Sequence, residues 1–304
     1  MDTKFSRPKG FGEILDLTFS LSKKRFRDFF LILLVFMGPI YLLEAIILVA
    51  SGASFFRDMG VGDDWFTQFS NSFDEGAYAQ DIGLGASLGT IFIGLASVVL
   101  FPVAEAAILI AINHIRKGEE YSIGSVIKKG FKKFWSMLGS NILFGLITFG
   151  VIFLPIMIVT FIGVFSAMAN PFIGVIFALF LGLLFFVGIG YLLTRWSFYF
   201  GSVVLDHEAP GFTRSWRLTK GRAWVSFGLY IIFFLIISCI SFAVELSFGI
   251  FLGNSVLLTL IVNIVTIFTT LIFAVGYAVM YLDLKIRHDA EDLDEMIDEY
   301  KTRY

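Results

Sequence analysis

The apolar positions of this chain gather into six long runs separated by polar stretches. The runs cover about 29–50, 87–113, 137–165, 172–195, 224–251 and 256–282, and each holds the ~20 residues needed to cross a bilayer. A lone apolar run of that length can satisfy its backbone only within itself, so each predicts a helix. Runs three and four are joined by "SAMANP" and runs five and six by "GNS", which predict tight helical hairpins. The expected fold class is all-α: a polytopic membrane protein with six transmembrane helices arranged as three hairpins.

A second pattern precedes every odd-numbered run. In "GFGEILDLTFSLSKKRFRDFF", a helical period places Phe11, Ile14, Leu15, Leu17, Phe19, Leu21 and Phe26 on one side. Glu13, Asp16, Ser20, Lys23, Lys24 and Arg27 fall on the other, with Arg25 as the misfit. In "YSIGSVIKKGFKKFW", Ile123, Val126, Ile127, Phe131 and Phe134 oppose Lys128, Lys129, Lys132 and Lys133. In "APGFTRSWRLTKGRAW", Phe212, Trp216 and Ala223 form a narrower strip beside Arg214, Arg217 and Lys220. These stretches predict interfacial helices over 9–28, 121–135 and 208–223, lying in the headgroup layer with the apolar side down. Each ends in a basic-aromatic step, "KKRF", "KKFW" or "KGRAW", so the layout suggests a threefold unit of interfacial helix, basic elbow and hairpin.

Composition agrees with a lipid solvent: only 16% of residues are charged and 37 are phenylalanine, more apolar surface than a soluble core could hide. The single cysteine, Cys239, excludes an intrachain disulfide and reads as a buried small hydrophobe. The first apolar run is too long for a cleavable signal and lacks a small-residue cleavage site. Charge then sets the orientation. Of the 23 lysines and arginines, all but Arg57 lie on the side of the N-terminus. Arg57 sits in the loop 51–86 with Asp58, Asp63, Asp64, Asp74, Glu75 and Asp81. The positive-inside rule therefore expects both termini in the cytoplasm and this acidic loop outside. Trp135, Trp196, Trp216 and Trp224 then fall near the inner interface, as an aromatic belt would.

Three stretches carry a family resemblance. "RPKGFGEILDLTFSLSKKRFRDF", "RWSFYFGSVVLDHEAPGFTRSWRLTKGRAW" and "YLDLKIRHDAEDLDEM" resemble the signatures of the glycerophosphoryl diester phosphodiesterase membrane-domain family. Lys285 stands where that family usually has an arginine, and His288-Asp289 where it has Lys-Glu. The resemblance implies the membrane half of that family alone. The soluble catalytic barrel of its fused members needs a His-Arg-Gly opening and paired acidic metal ligands, which this sequence does not supply.

Several polar residues stand out against this background. Glu44, Glu105 and Glu245 interrupt spans, and an ionisable group in lipid defaults to a functional hypothesis. Glu245 lies ~31 Å along its helix from Trp224 and reads as a solvated helix end, while Glu105, three residues after Pro102, is the deepest. Asn141 and Asn263 are candidate hydrogen-bond partners for Glu105. Asp206-His207-Glu208 has the residue types of a metal site but no ligand spacing such as HxxxH or CxxC, so Glu208 reads as a helix start pairing Arg214 or Arg217. Ser215 lacks a G-x-S-x-G context. Glu208, Arg214, Arg217, Lys220 and Arg222 are read as lipid-headgroup or structural ion-pair candidates. No catalytic, cofactor-binding or metal-ligating set is expected.

The segment 289–304 predicts a separate acidic amphipathic helix with Leu293, Met296, Ile297 and Tyr300 on one stripe. Anionic lipid should repel it, so it would dock on protein, either this chain's basic elbows or a partner. The expected function is a non-enzymatic protein of the cytoplasmic membrane. It would be a scaffold or accessory subunit that assembles with a partner or organises anionic inner-leaflet lipid. The alternative is a transporter or exporter subunit with a cavity near Glu105. No nucleic-acid partner is expected, since the basic residues sit at membrane junctions.

Overall fold

The computed structural model describes the backbone of residues 7–56, 84–253 and 255–303, and their side chains except those of 84–87, 167, 169, 173 and 289–303. Among these residues every regular element is helical. They are α1 (Phe11–Lys24), α2 (Phe26–Ala50), α3 (Leu84–Lys117), α4 (Ile123–Lys132), α5 (Phe134–Ala169), α6 (Pro171–Ser197), α7 (Phe212–Leu218), α8 (Ala223–Leu252) and α9 (Val256–Arg303). Between α6 and α7 lie the short turn Tyr199–Gly201 and the π-helical turn Ser202–Asp206. The helices α2, α3, α5, α6, α8 and α9 are each long and apolar enough to cross a membrane. The protein is thus all-α and multi-pass. The residues 57–83 of the acidic loop lie outside the described residues.

Most helices overrun the apolar runs by a few residues, because helical bonding continues into polar flanks. Two differences are larger. The tail is not a separate helix: α9 runs unbroken from Val256 to Arg303. No glycine or proline follows Gly276, so nothing in the sequence interrupts its hydrogen-bond ladder. Conversely, the helix expected over 208–223 shrinks to Phe212–Leu218. Pro210 and Gly211 (φ 79°) hold its start in a turn, and Gly221 (φ 76°) breaks its end.

The first two elbows share one conformation. Arg25 (φ −116°, ψ 27°) and Lys133 (φ −97°, ψ 4°) each interrupt a helix for one residue near the bridge region. The ladder resumes at once, with the Phe29 N–H donating to the Arg25 carbonyl at 3.1 Å and the Met137 N–H to the Lys133 carbonyl at 2.9 Å. The third elbow is built differently, on the glycine turn at Gly221.

The chain divides into two compact units. One comprises residues 12–130 and 232–279. Here α2 lies along α3, and α3 buries Val103, Ala104, Ala106, Ala107, Ile108, Ala111 and Ile112 completely. A Cβ on Gly130 of α4 would stand 3.3 Å from the Val103 carbonyl oxygen, so α4 rests directly on α3. Val256 and Leu257, at the start of α9, donate their N–H groups to the carbonyls of Ser54 and Phe55 at 3.1 Å. These bonds satisfy donors that a helix start otherwise leaves open. The covered stripe of α1 is Ile14, Leu17, Thr18, Leu21 and Ser22. It is shifted from the all-apolar side expected: Phe19 and Phe26 are exposed, while Thr18 is buried because its hydroxyl donates to the Ile14 carbonyl at 2.8 Å.

The other unit comprises the N-terminal residues through Phe11, residues 131–231 and the chain from Met280 on. In it α5 lies along α6, with Gly163 placed so that a Cβ would meet that of Ala178 at 3.3 Å. The ring of Phe227 on α8 covers Gly190 of α6.

Candidate functional site

Ion pairs and hydrogen bonds gather in a knot around Asp206 and Asp283. Asp206 ends the π-helical turn, just before His207, which takes a left-handed conformation (φ 63°). Its side chain is only 8% exposed. Its Oδ2 accepts from the Tyr281 hydroxyl at 2.7 Å and from Arg214 Nε at 3.3 Å, and its Oδ1 pairs with Lys285. Tyr281 and Lys285 are four residues apart, so one face of α9 delivers both. Gly201 lies against the Tyr281 ring, where a Cβ could not fit.

Asp283 is offset on the same helix and reaches a different partner. Its Oδ1 accepts the Lys9 backbone N–H at 2.6 Å, and its Oδ2 accepts from Arg287 Nε at 2.9 Å. The Lys9 carbonyl in turn accepts from Arg287 at 2.6 Å and from Arg222 at 3.0 Å. Both backbone polar groups of Lys9 are therefore held. The three stretches quoted for their family resemblance, holding Lys9, Asp206 with Arg214 and Arg222, and Tyr281 to Arg287, meet in this knot.

A neighbouring clamp fixes α7 to the end of α6. Arg195 lies 3.8 Å over the Trp216 ring and donates to the Trp216 carbonyl at 2.7 Å and to Thr219 Oγ1 at 3.2 Å. The buried Ser215 hydroxyl donates back to the Arg195 carbonyl at 2.7 Å. That assigns Ser215 a structural bond. Lys133 pairs with His207.

The sequence-predicted residues separate sharply against this frame. Arg214 and Arg222 point into the knot. Arg217 and Lys220 face outward, and Arg217 meets Glu208 at 3.9 Å with both side chains about half exposed. Such a pair is worth at most about 1 kcal/mol. Trp216 and Trp224 are exposed beside them in sequence, and Trp135 is exposed at the start of α5.

The expected pairing of Glu105 with Asn141 or Asn263 does not occur. Asn263 donates to Glu44 at 2.8 Å, and Asn141 accepts from the Tyr199 hydroxyl at 2.7 Å. Glu105 makes no hydrogen bond or ion pair among the described residues and is half-buried. Glu245 is exposed, and so is Cys239, which corrects the buried reading of that cysteine. The side chains of Leu293, Met296, Ile297 and Tyr300 lie outside the described residues. Among the described residues no three His, Cys, Asp or Glu side chains gather at metal-ligating distance.

A smaller cluster ties α4 and its approach to α2 and α3. The Tyr121 hydroxyl donates to Asp28 at 2.9 Å; burial, and then this bond, push its pKa above the ordinary tyrosine value. His114 Nδ1 lies 2.7 Å from the Ile110 carbonyl and its Nε2 2.8 Å from Lys129 Nζ.

Reading the sequence alone missed Lys9, Tyr281, Asp283, Lys285 and Arg287. The available signal was the pair of i,i+4 couples Tyr281/Lys285 and Asp283/Arg287 at the end of the last span.

No curated protein and no solved structure matches this chain. A family model does, over residues 32–283, a range that includes Asp206, Arg214, Arg222, Tyr281 and Asp283 but not Lys9, Lys285 or Arg287. The chain belongs to that family, described as a domain of unknown function, DUF7847.

Proposed function

We propose that this protein is a non-enzymatic scaffold or accessory subunit of the cytoplasmic membrane that organises anionic inner-leaflet lipid and assembles with a partner. The observation that carries the reading is the division of labour in "TRSWRLTKGRAW". Arg214 and Arg222 are consumed by Asp206 and the Lys9 carbonyl, while Arg217 and Lys220 face outward beside exposed Trp216 and Trp224. Tryptophan at the headgroup level with outward basic residues is the chemistry of a lipid-phosphate contact. In this reading both termini are cytoplasmic, and the spans form three hairpins, each entered from a basic amphipathic helix at the interface. The meeting of three motifs in one knot supports a shared membrane fold with the glycerophosphoryl diester phosphodiesterase membrane-domain family, without its catalysis.

Lipid retention tests the reading. Full-length protein purified from native membranes, analysed by native mass spectrometry, should carry anionic phospholipid. Arg217→Gln with Lys220→Gln should cut that retention by roughly thirtyfold, at about 1 kcal/mol per basic residue. Unchanged retention overturns the lipid role. A cytoplasmic reporter active when fused after residue 75 overturns the orientation. The transporter reading is favoured by one observation, the partnerless Glu105. It requires transport to fail in Glu105→Gln while lipid retention stays intact.

A further inference from the structure

His114, in the last turn of α3, is held in one protonation state by its two ring nitrogens. Nδ1 lies 2.7 Å from the Ile110 carbonyl, which can only accept, so Nδ1 carries the proton. Nε2 lies 2.8 Å from Lys129 Nζ of α4. A lysine ammonium donates and cannot accept, so Nε2 offers it a lone pair. The ring is therefore neutral. A proton on Nε2 would set two cations against each other at that distance and leave neither an acceptor.

A second partner is already within reach. Glu119 Oε2 lies 3.7 Å from the same Nε2. Its carboxylate can accept from a protonated ring and has nothing to donate to a neutral one. Histidine changes charge between about pH 5 and 8, where lysine keeps its proton. One proton on His114 thus exchanges Lys129 for Glu119. Other charged groups surround the pair. Lys117 of α3 reaches Glu119 at 3.9 Å, with Arg116 and Glu120 beside them in sequence. On α4, Lys128 and Lys132 are exposed near Lys129. From α2, Asp28 accepts from Tyr121, whose ring centroid lies 6.4 Å from that of His114, and meets Arg25 at 3.8 Å. The Tyr121 bond ties the approach of α4 to α2 in either charge state of His114.

What the exchange moves is α4. It has 10 residues, of which Val126 and Gly130 are buried. A helix so short is marginal without tertiary support. Lys129 adds a tie from α4 to α3. Glu119 precedes α4, so its pairing with His114 does not replace that tie.

We infer that His114 is a proton switch: when neutral it ties α4 to α3 through Lys129, and when protonated it turns to Glu119 and releases Lys129. The freed lysine then joins Lys128 and Lys132 on the exposed basic side of α4. The inference goes beyond the lipid reading and does not depend on it.

The test is amide hydrogen exchange of the full-length protein in detergent at about pH 8 and about pH 5, corrected for the intrinsic effect of pH. Protection of α4 should fall about tenfold at the lower pH, the loss of one charge-assisted bond, while protection of α3 around Ile108 holds. In His114→Gln the amide oxygen still accepts from Lys129 but takes no proton, so α4 should stay protected at both pH values. In Lys129→Met, α4 should show the low-pH level at both. Gel filtration checks that each variant folds, and if His114→Gln does not, Lys129→Met decides. Protection of α4 that is indifferent to pH in the unaltered protein, or a pH response that survives either substitution, overturns the inference. A response surviving both assigns it to another group, such as His207, which pairs with Lys133. Detergent holds no anionic lipid, so failure here leaves the lipid role standing.

Discussion

The spans α3 and α5 are alike in length and apolar content, yet they live in different surroundings. Half of the residues in the most apolar window of α3 are buried, against none in the corresponding window of α5. The α3 side is rich in small residues, Ala104, Ala106, Ala107 and Ala111, which let neighbouring backbones approach. The α5 face carries Leu146, Phe149, Phe153, Leu154, Phe161 and Phe165, all exposed. The unit holding α3 thus takes its order from packing along the spans. The unit holding α5 and α6 takes its order from the knot at their polar end, where Asp206 and Asp283 gather partners from distant parts of the chain.

That contrast can be broken by measurement, most sharply at the knot. Asp206→Ala leaves Lys285 and Arg214 without their shared carboxylate and should cost about 3–5 kcal/mol, read as thermal unfolding in detergent. A loss under 1 kcal/mol would mean that the α5 unit does not depend on the knot. Next is the packed side of α3. Ile112→Ala opens a cavity at a fully buried position and should cost about 2–5 kcal/mol in the same assay. Gly130→Ala sets a methyl against the Val103 carbonyl and should cost about 1 kcal/mol by displacing α4 from α3.

Tyr121→Phe removes the bond to Asp28 and should cost about 1 kcal/mol. The raised hydroxyl pKa means that the neutral donor is favoured in the folded state. Its contribution is full below the unfolded value of about 10 and fades only as pH rises beyond it. The cost of the substitution should therefore be flat across neutral pH, and a cost that changes between about pH 6 and 8 would assign the bond to another group. The smallest effect belongs to α5: Leu154→Ala, at an exposed span position, should stay within about 0.5 kcal/mol. A loss there equal to that of Ile112→Ala would erase the distinction between the two spans.

How much of this was legible in advance differs from element to element. The spans were readable because a run of ~20 apolar residues has few other stable states in lipid. The elbows at Arg25 and Lys133 were readable as basic-aromatic steps. The third copy was misread as a longer helix, although Pro210, Gly211 and Gly221 were there to limit it. The tail was misread as separate from the last span, although nothing after Gly276 could break that helix. Arg214, Arg217, Lys220 and Arg222 looked alike in sequence and proved to face two ways.

What the sequence alone determined is the class of the protein and the position of its spans, since both follow from local composition and backbone hydrogen bonding. The lack of glycine and proline after Gly276 also lets α9 continue to Arg303. Only the tertiary structure decided which apolar faces meet protein rather than lipid, because a lipid tail is as apolar as a leucine and hydropathy cannot separate them. It alone decided, too, that Asp283 would hold the Lys9 peptide, a pairing of residues 274 positions apart that no local pattern records.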